Sequence, residues 1–172
     1  MCPVCEEEKF WYPLGTPSDS YLLLDGHYYV KESIDVSANT GYWRVNGGRA
    51  CIHLNGKDLT ARNQAFHVGD NSASVLNVMG SGTVTGGPNL NNGVMQATAA
   101  VNLFGGTWQS KGAGGALSTW GGLSTNTVNI YEGTTLQRSE TVKNSYVVRI
   151  KDTTTLNIHG GTIIGGDSTS RT

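Results

Sequence analysis

Five short fragments share one alternation of apolar and polar positions: Ile52-His53-Leu54, Leu76-Asn77-Val78, Val101-Asn102-Leu103, Val128-Asn129-Ile130 and Leu156-Asn157-Ile158. Alternation with period two is the mark of a strand with one face buried. The central polar residues stand at 53, 77, 102, 129 and 157, so successive copies are 24, 25, 27 and 28 residues apart. After each of the last four copies comes Gly, Thr and a large apolar residue, as in Thr83-Val84, Thr107-Trp108, Thr135-Leu136 and Thr162-Ile163. One such strand cannot bury its apolar face alone, whereas stacked copies bury it against one another. The period therefore predicts a solenoid of strands.

Each period offers about three strand candidates separated by Gly, Asn or Ser. In one coil they are 65–68, 75–78 and 83–85; in the last they are 146–150, 155–158 and 162–164. Three strands per turn, each stacked in parallel on its equivalents, predicts an all-β chain folded as a right-handed parallel β-helix of about five coils. The expected division is a small head and connector over residues 1–25 and the β-helix over 26–172. Alternation then assigns faces. Leu76 and Val78 point inward, above Val101/Leu103, Val128/Ile130 and Leu156/Ile158. Two outward columns follow: His53, Asn77, Asn102, Asn129, Asn157, and Asn55, Met79, Phe104, Tyr131, His159. The first is expected to be an amide ladder. The second contains a stripe of Met79, Phe104, Tyr131 and His159, which is unusual for a solvent face. It is a candidate interface, with sugar stacking as another use, unless a loop such as 88–93 or 111–115 covers it.

Composition agrees with turns and strands: 24 Gly, 4 Pro and no helical period in 172 residues. The net charge of −1 leaves no basic footprint for nucleic acid. No apolar run approaches the ~20 residues of a membrane span, and no signal peptide is visible ahead of Cys2. The charge distribution says more. From Asn71 through Tyr131, 61 residues carry one Lys, Lys111, and no Asp, Glu, Arg or His. Charges on sheet edges normally keep neighbours apart, so a neutral middle points to a covered or self-associating surface.

Three cysteines are the remaining chemistry. Cys2-Pro3-Val4-Cys5 has the two-residue gap that lets two thiolates face one tetrahedral ion. Setting Gly26–Val30 beneath Ala50–Leu54 places His27 and Cys51 in one outward column, 24 residues apart. Adjacent strands are about 4.8 Å apart, so both can reach one ion. The expectation is a structural Cys3His zinc site of Cys2, Cys5, His27 and Cys51, clipping the head to the first coil. A disulfide from Cys2 or Cys5 to Cys51, or unlinked thiols, are the alternatives.

The stretch Cys51-Ile52-His53-Leu54-Asn55-Gly56-Lys57-Asp58-Leu59-Thr60 and the repeat Leu156–Ile163 resemble those of surface and secreted proteins of gut Firmicutes. The opening Cys2-Pro3-Val4-Cys5 and the segment Gly26–Val30 extend the resemblance over nearly the whole chain. It implies a pectin-lyase-like β-helix of extracellular or cell-surface bacterial origin, and it implies little about activity. Many β-helices degrade polysaccharides, and Arg149-Ile150-Lys151 is similar to a substrate-binding triplet of polygalacturonases. Glycoside hydrolysis, however, needs two carboxyls flanking the bond, and the central coils have none. The function expected is therefore non-catalytic: a structural or adhesive module whose partners are copies of itself, in an oligomer or a head-to-tail filament, with a short uncapped segment after Ile164. The alternative is a glycan-binding or vestigial lyase or hydrolase module acting on a surface glycan. Another is a piece of a longer surface protein, whose further coils cover the open end.

Overall fold

The computed structural model describes residues 2, 4–6, 9–87, 93–112, 114–119, 126–138, 146–151 and 153–165. Among them there is no helix, and every pairing between strands is parallel. Three sheets form the walls of a solenoid. The first holds seven strands: Tyr12–Pro13, Gly26–Tyr29, Arg49–His53, Val75–Met79, Ala100–Leu103, Asn126–Ile130 and Thr154–Ile158. The second holds Ile34–Val36, Leu59–Ala61, Thr83–Gly86, Gly106–Ser110, Thr134–Arg138 and Thr162–Ile164. The third holds Tyr21–Leu23, Tyr42–Val45, Phe66–Val68, Met95–Ala97, Leu117–Thr119 and Val148–Arg149. The chain visits the sheets in rotation, so each strand meets its equivalent one coil away. This is the expected parallel β-helix of about five turns. Of residues 1–25, two short strands join it: Tyr12 pairs with Tyr28, and Tyr21 with Tyr42.

The inward columns make the core. In the first sheet Ile52, Val78, Leu103 and Ile130 stack with no exposed surface. The second stacks Leu59, Val84, Trp108 and Leu136, and the third Trp43, Phe66, Met95 and Leu117. Trp43 lies on Phe66 with ring centroids 5.4 Å apart, and Phe66 meets Trp108 at 5.8 Å. The large rings fill the lumen where aliphatic side chains would leave voids. Their indole N–H groups are satisfied by backbone, Trp43 on Gly15 O and Trp108 on Gly105 O. The glycine before each Gly-Thr-apolar strand has a backbone reason. Gly82, Gly106, Gly133 and Gly161 all take positive φ, between 82° and 140°. A corner between the first and second sheets needs this left-handed conformation, which side chains resist.

One register differs from expectation. Asn77 pairs with Cys51, not His53, and His53 pairs with Met79. The spacing of the first transition is thus two residues longer than the apolar pattern indicates. A slip of two keeps every side chain on its face, so the inward assignments survive while the outward columns change heads. The amide column runs His27, Cys51, Asn77, Asn102, Asn129, Asn157. The stripe begins at Tyr29 and His53. Asn55 leaves the sheet in a turn at φ 57° and donates from Nδ2 to Val30 O instead.

Candidate metal centre

His27 and Cys51 occupy partnered positions on neighbouring strands of the first sheet, both pointing away from the core. The N-terminal turn folds over them. Glu6, at φ 54°, closes that turn by donating its N–H to Cys2 O at 2.8 Å. This brings Cys2 and Cys5 onto the column. One ligand atom from each of Cys2, Cys5, His27 and Cys51 then lies within 4.8 Å of every other. Tetrahedral ligation at bonds of about 2.0–2.3 Å holds donors about 3.3–3.8 Å apart, so a small inward movement of these side chains lets the cluster bind one metal ion. All three cysteines are free thiols. Cys5 Sγ and His27 Nε2 are 3.1 Å apart.

Cys2 and Cys51 are fully buried, His27 nearly so, and Cys5 partly. Trp11 stands edge-on to His27 at 5.2 Å and to His53 at 6.5 Å, screening the imidazole from water. Burial pushes the Cys51 thiol up to about 12, opposed by the Asn77 amide and reinforced by the sulfurs of Cys2 and Cys5. Burial raises Cys2 as well. Backbone amides of Cys5 and Val4, and then the Cys5 and Cys51 thiols, outweigh it and hold Cys2 below its ordinary value. The turn thus favours the thiolate form of Cys2, and the coil beneath resists a second negative charge on Cys51. A divalent cation would reverse that resistance, because it deprotonates a coordinating thiol outright.

Sequence reasoning missed what lies behind Cys51. Its sulfur accepts a hydrogen bond from Asn77 Nδ2 at 3.3 Å. Asn77 in turn accepts from Asn102 at 2.8 Å, Asn102 from Asn129 at 2.6 Å, and Asn129 from Asn157 at 2.8 Å. Four side-chain amides therefore point the same way, with the donor end of the ladder on the metal-site sulfur. The Asn column itself was legible, but with His53 at its head; the two-residue change of register puts Cys51 there instead.

The stripe is partly covered, and by the N-terminal segment. Met79 is buried with Cys2 and Cys51, packed by Val4, Cys5, Trp11 and Phe104. Of the two loops expected over it, residues 88–92 lie outside the described residues. The other turns onto the second sheet, with Lys111 N on Gly86 O and Gly114 N on Gly87 O. Beyond Met79, Phe104, Tyr131 and His159 stack face to face, with centroids 4.3 and 4.7 Å apart and planes within 12°.

The Cys/His cluster is the only group of three or more His, Cys, Asp or Glu able to share an ion among the described residues. Asp152, next to the Arg149-Ile150-Lys151 triplet, lies outside them. Arg149 sits over the Tyr146 ring at 5.6 Å. Asp70 is taken by an ion pair with Arg44, beside His67. No helix among the described residues is long and apolar enough to cross a membrane. Comparison with family models, with curated proteins and with solved structures finds no match to the chain.

Proposed function

We propose that this chain is a non-catalytic structural module, a zinc-clipped β-helix that associates end to end with copies of itself. The observation that carries the reading is where apolar surface stands exposed. Among the described residues the exposed large apolar side chains are Phe10, Tyr12, Tyr21, Leu23, Ile150, Ile158, Ile163 and Ile164. Four lie in or beside the first strand of a sheet, and four in or beside the last. None lies on the walls between. Each end layer also carries strand edges whose backbone groups template another layer. A head-to-tail contact of this kind does not close on itself and produces a filament.

Zinc suits the donor set. Three thiolates and an imidazole around one point form a closed tetrahedral site, the pattern of structural zinc. Its work is to hold the N-terminal turn on the first coil, through His27, and on the next, through Cys51. The pectin-lyase-like kinship and the bacterial cell-surface or extracellular setting rest on the resemblance of Cys51–Thr60 and Leu156–Ile163 alone. The 61 residues from Asn71 to Tyr131 supply no carboxylate for glycoside chemistry. Glycan stacking is the weaker reading of the stripe, because Tyr131 spends both ring faces on its neighbours and Phe104 and His159 spend one each.

The test is light scattering and electron microscopy of the zinc-loaded chain, beside an Ile158→Asp/Ile163→Asp variant. The wild type should form oligomers at micromolar concentration and the variant should not. A wild type that stays monomeric, with no filaments, would end the self-association reading. Elemental analysis finding no stoichiometric zinc would end the zinc reading independently.

A further inference from the structure

The aromatic column has a missing rung. Phe104, Tyr131 and His159 occupy consecutive coils and stack nearly parallel. On the next coil towards the N-terminus the position belongs to Met79, and on the one after that to His53. Phe104 N still bonds Val78 O at 2.8 Å, so the ladder of backbone bonds continues through the gap in the rings. A cavity of about 460 Å³ opens at this place, lined by Val4, His53, Met79, Gly80 and Phe104.

We propose that this cavity binds a small, uncharged, planar aromatic ring carrying a hydroxyl, of the phenol class, which completes the stack. Phe104 and His53 lie two coils apart, or about 9.6 Å along the axis. A ring midway between them stands about 4.8 Å from each, close to the 4.3 and 4.7 Å the protein's own rings adopt. Tyr131 occupies one face of Phe104, which leaves the other for the cavity. Met79 forms the floor, an unbranched thioether that meets aromatic rings favourably. A saturated ring of similar size lacks the flat π-faces that stack on Phe104 and His53.

His53 supplies the polar contact. Its Nδ1 accepts the Asn55 N–H at 3.0 Å, so the ring proton sits on Nε2, which is a donor. The hydroxyl oxygen of a phenol is a suitable acceptor. Gly80 packs close beside the His53 ring, where a Cβ would lie 2.8 Å from it, so any side chain here would crowd the imidazole. Val4, the remaining wall, sits between two metal-site cysteines. That wall alone rests on the metal reading; the slot between Phe104 and His53 does not.

The experiment is a titration of the zinc-loaded full chain, labelled with 13C at the methionine methyls and with 15N throughout, and read at the Met79 methyl and the Gly80 amide. The probes are phenol, with cyclohexanol as the non-planar control and benzoate as the charged one. Phenol should move the Met79 methyl upfield by ring current, saturably, with a Kd on the order of 1 mM or tighter for so small a ligand. Cyclohexanol and benzoate should bind at least tenfold more weakly. Met79→Phe, which installs the missing ring, should abolish the effect at the Gly80 amide while leaving the strands folded. Zinc content is measured in every sample, so loss of the Val4 wall is recognised as such. If phenol gives no saturable shift in fully zinc-loaded protein, or cyclohexanol matches it, the proposal is wrong.

Discussion

Replacing Asn77 with Leu tests the link between the amide ladder and the metal site. Asn77 is 1% exposed, and leucine keeps its branched skeleton with bulkier methyl ends, so the exchange leaves no cavity. It removes two hydrogen bonds, the donation to Cys51 Sγ and the acceptance from Asn102. Each is worth about 0.5–1.5 kcal/mol net, giving a loss of about 1–3 kcal/mol. For a chain of this size that lowers Tm by roughly 2–12 °C. The donation to sulfur also steadies the thiolate that would hold the ion, and loss of such a supporting contact typically costs about 10–100-fold in metal affinity. Asn157→Leu is the control. It breaks one bond of the same ladder four coils away, about 19 Å from Cys51. It should cost about 0.5–1.5 kcal/mol and leave metal affinity unchanged. The assays are thermal melts with and without zinc, and competition against a chromophoric chelator. If Asn77→Leu binds zinc as tightly as the wild type, the ladder does not support the site. Equal weakening by Asn157→Leu would refute the local argument as well.

Three further outcomes follow from the same contacts. Trp108→Ala empties a fully buried position of the lumen and should cost about 3–5 kcal/mol, read by denaturant unfolding. His67 is held below its ordinary value by burial and then by the Arg44 charge. A depressed folded value means stability is present above about pH 6.5 and is lost as pH falls through the folded value. Melts from pH 7.5 to 5 should show that loss, and His67→Gln should flatten it. Cys51→Ala should release the N-terminal turn and expose Trp11 to quenchers, while amide exchange in strands Val75–Met79 and beyond stays slow; uniform loss of protection would contradict a local clip.

The inward faces were legible because period-two alternation does not depend on register. Leu76/Val78, Val101/Leu103 and Val128/Ile130 point inward whichever neighbour they meet. The register between the second and third coils was not legible for the same reason. Ile52-His53-Leu54 and Ala50-Cys51-Ile52 both alternate, and a two-residue slip between them flips nothing. The turn decides it: Asn55 and Gly56 take positive φ, which ends the strand at His53. The metal cluster was legible because its register, His27 on Cys51, lies on the side of the first coil where matching was unambiguous. The Trp11 screen, the Val4 wall and the bond from Asn77 were not legible, since each depends on how the non-repeating N-terminal segment folds back.

Both outward columns of the first sheet are ladders that the 4.8 Å coil spacing makes favourable. Amides reach each other at 2.6–2.8 Å across that step, and rings stack at 4.3–4.7 Å. A ladder satisfies itself only while the same chemistry repeats, and both columns change residue type in the same two coils. The amide ladder meets a sulfur at Cys51, where its last donor has a metal ligand to serve. The aromatic ladder meets a thioether at Met79, which packs against Phe104 but offers no ring to continue the stack. The N-terminal turn lies over both breaks through Cys2, Val4 and Cys5. Chemistry therefore gathers at one end of the first sheet because two repeats fail together there, under a segment that belongs to neither.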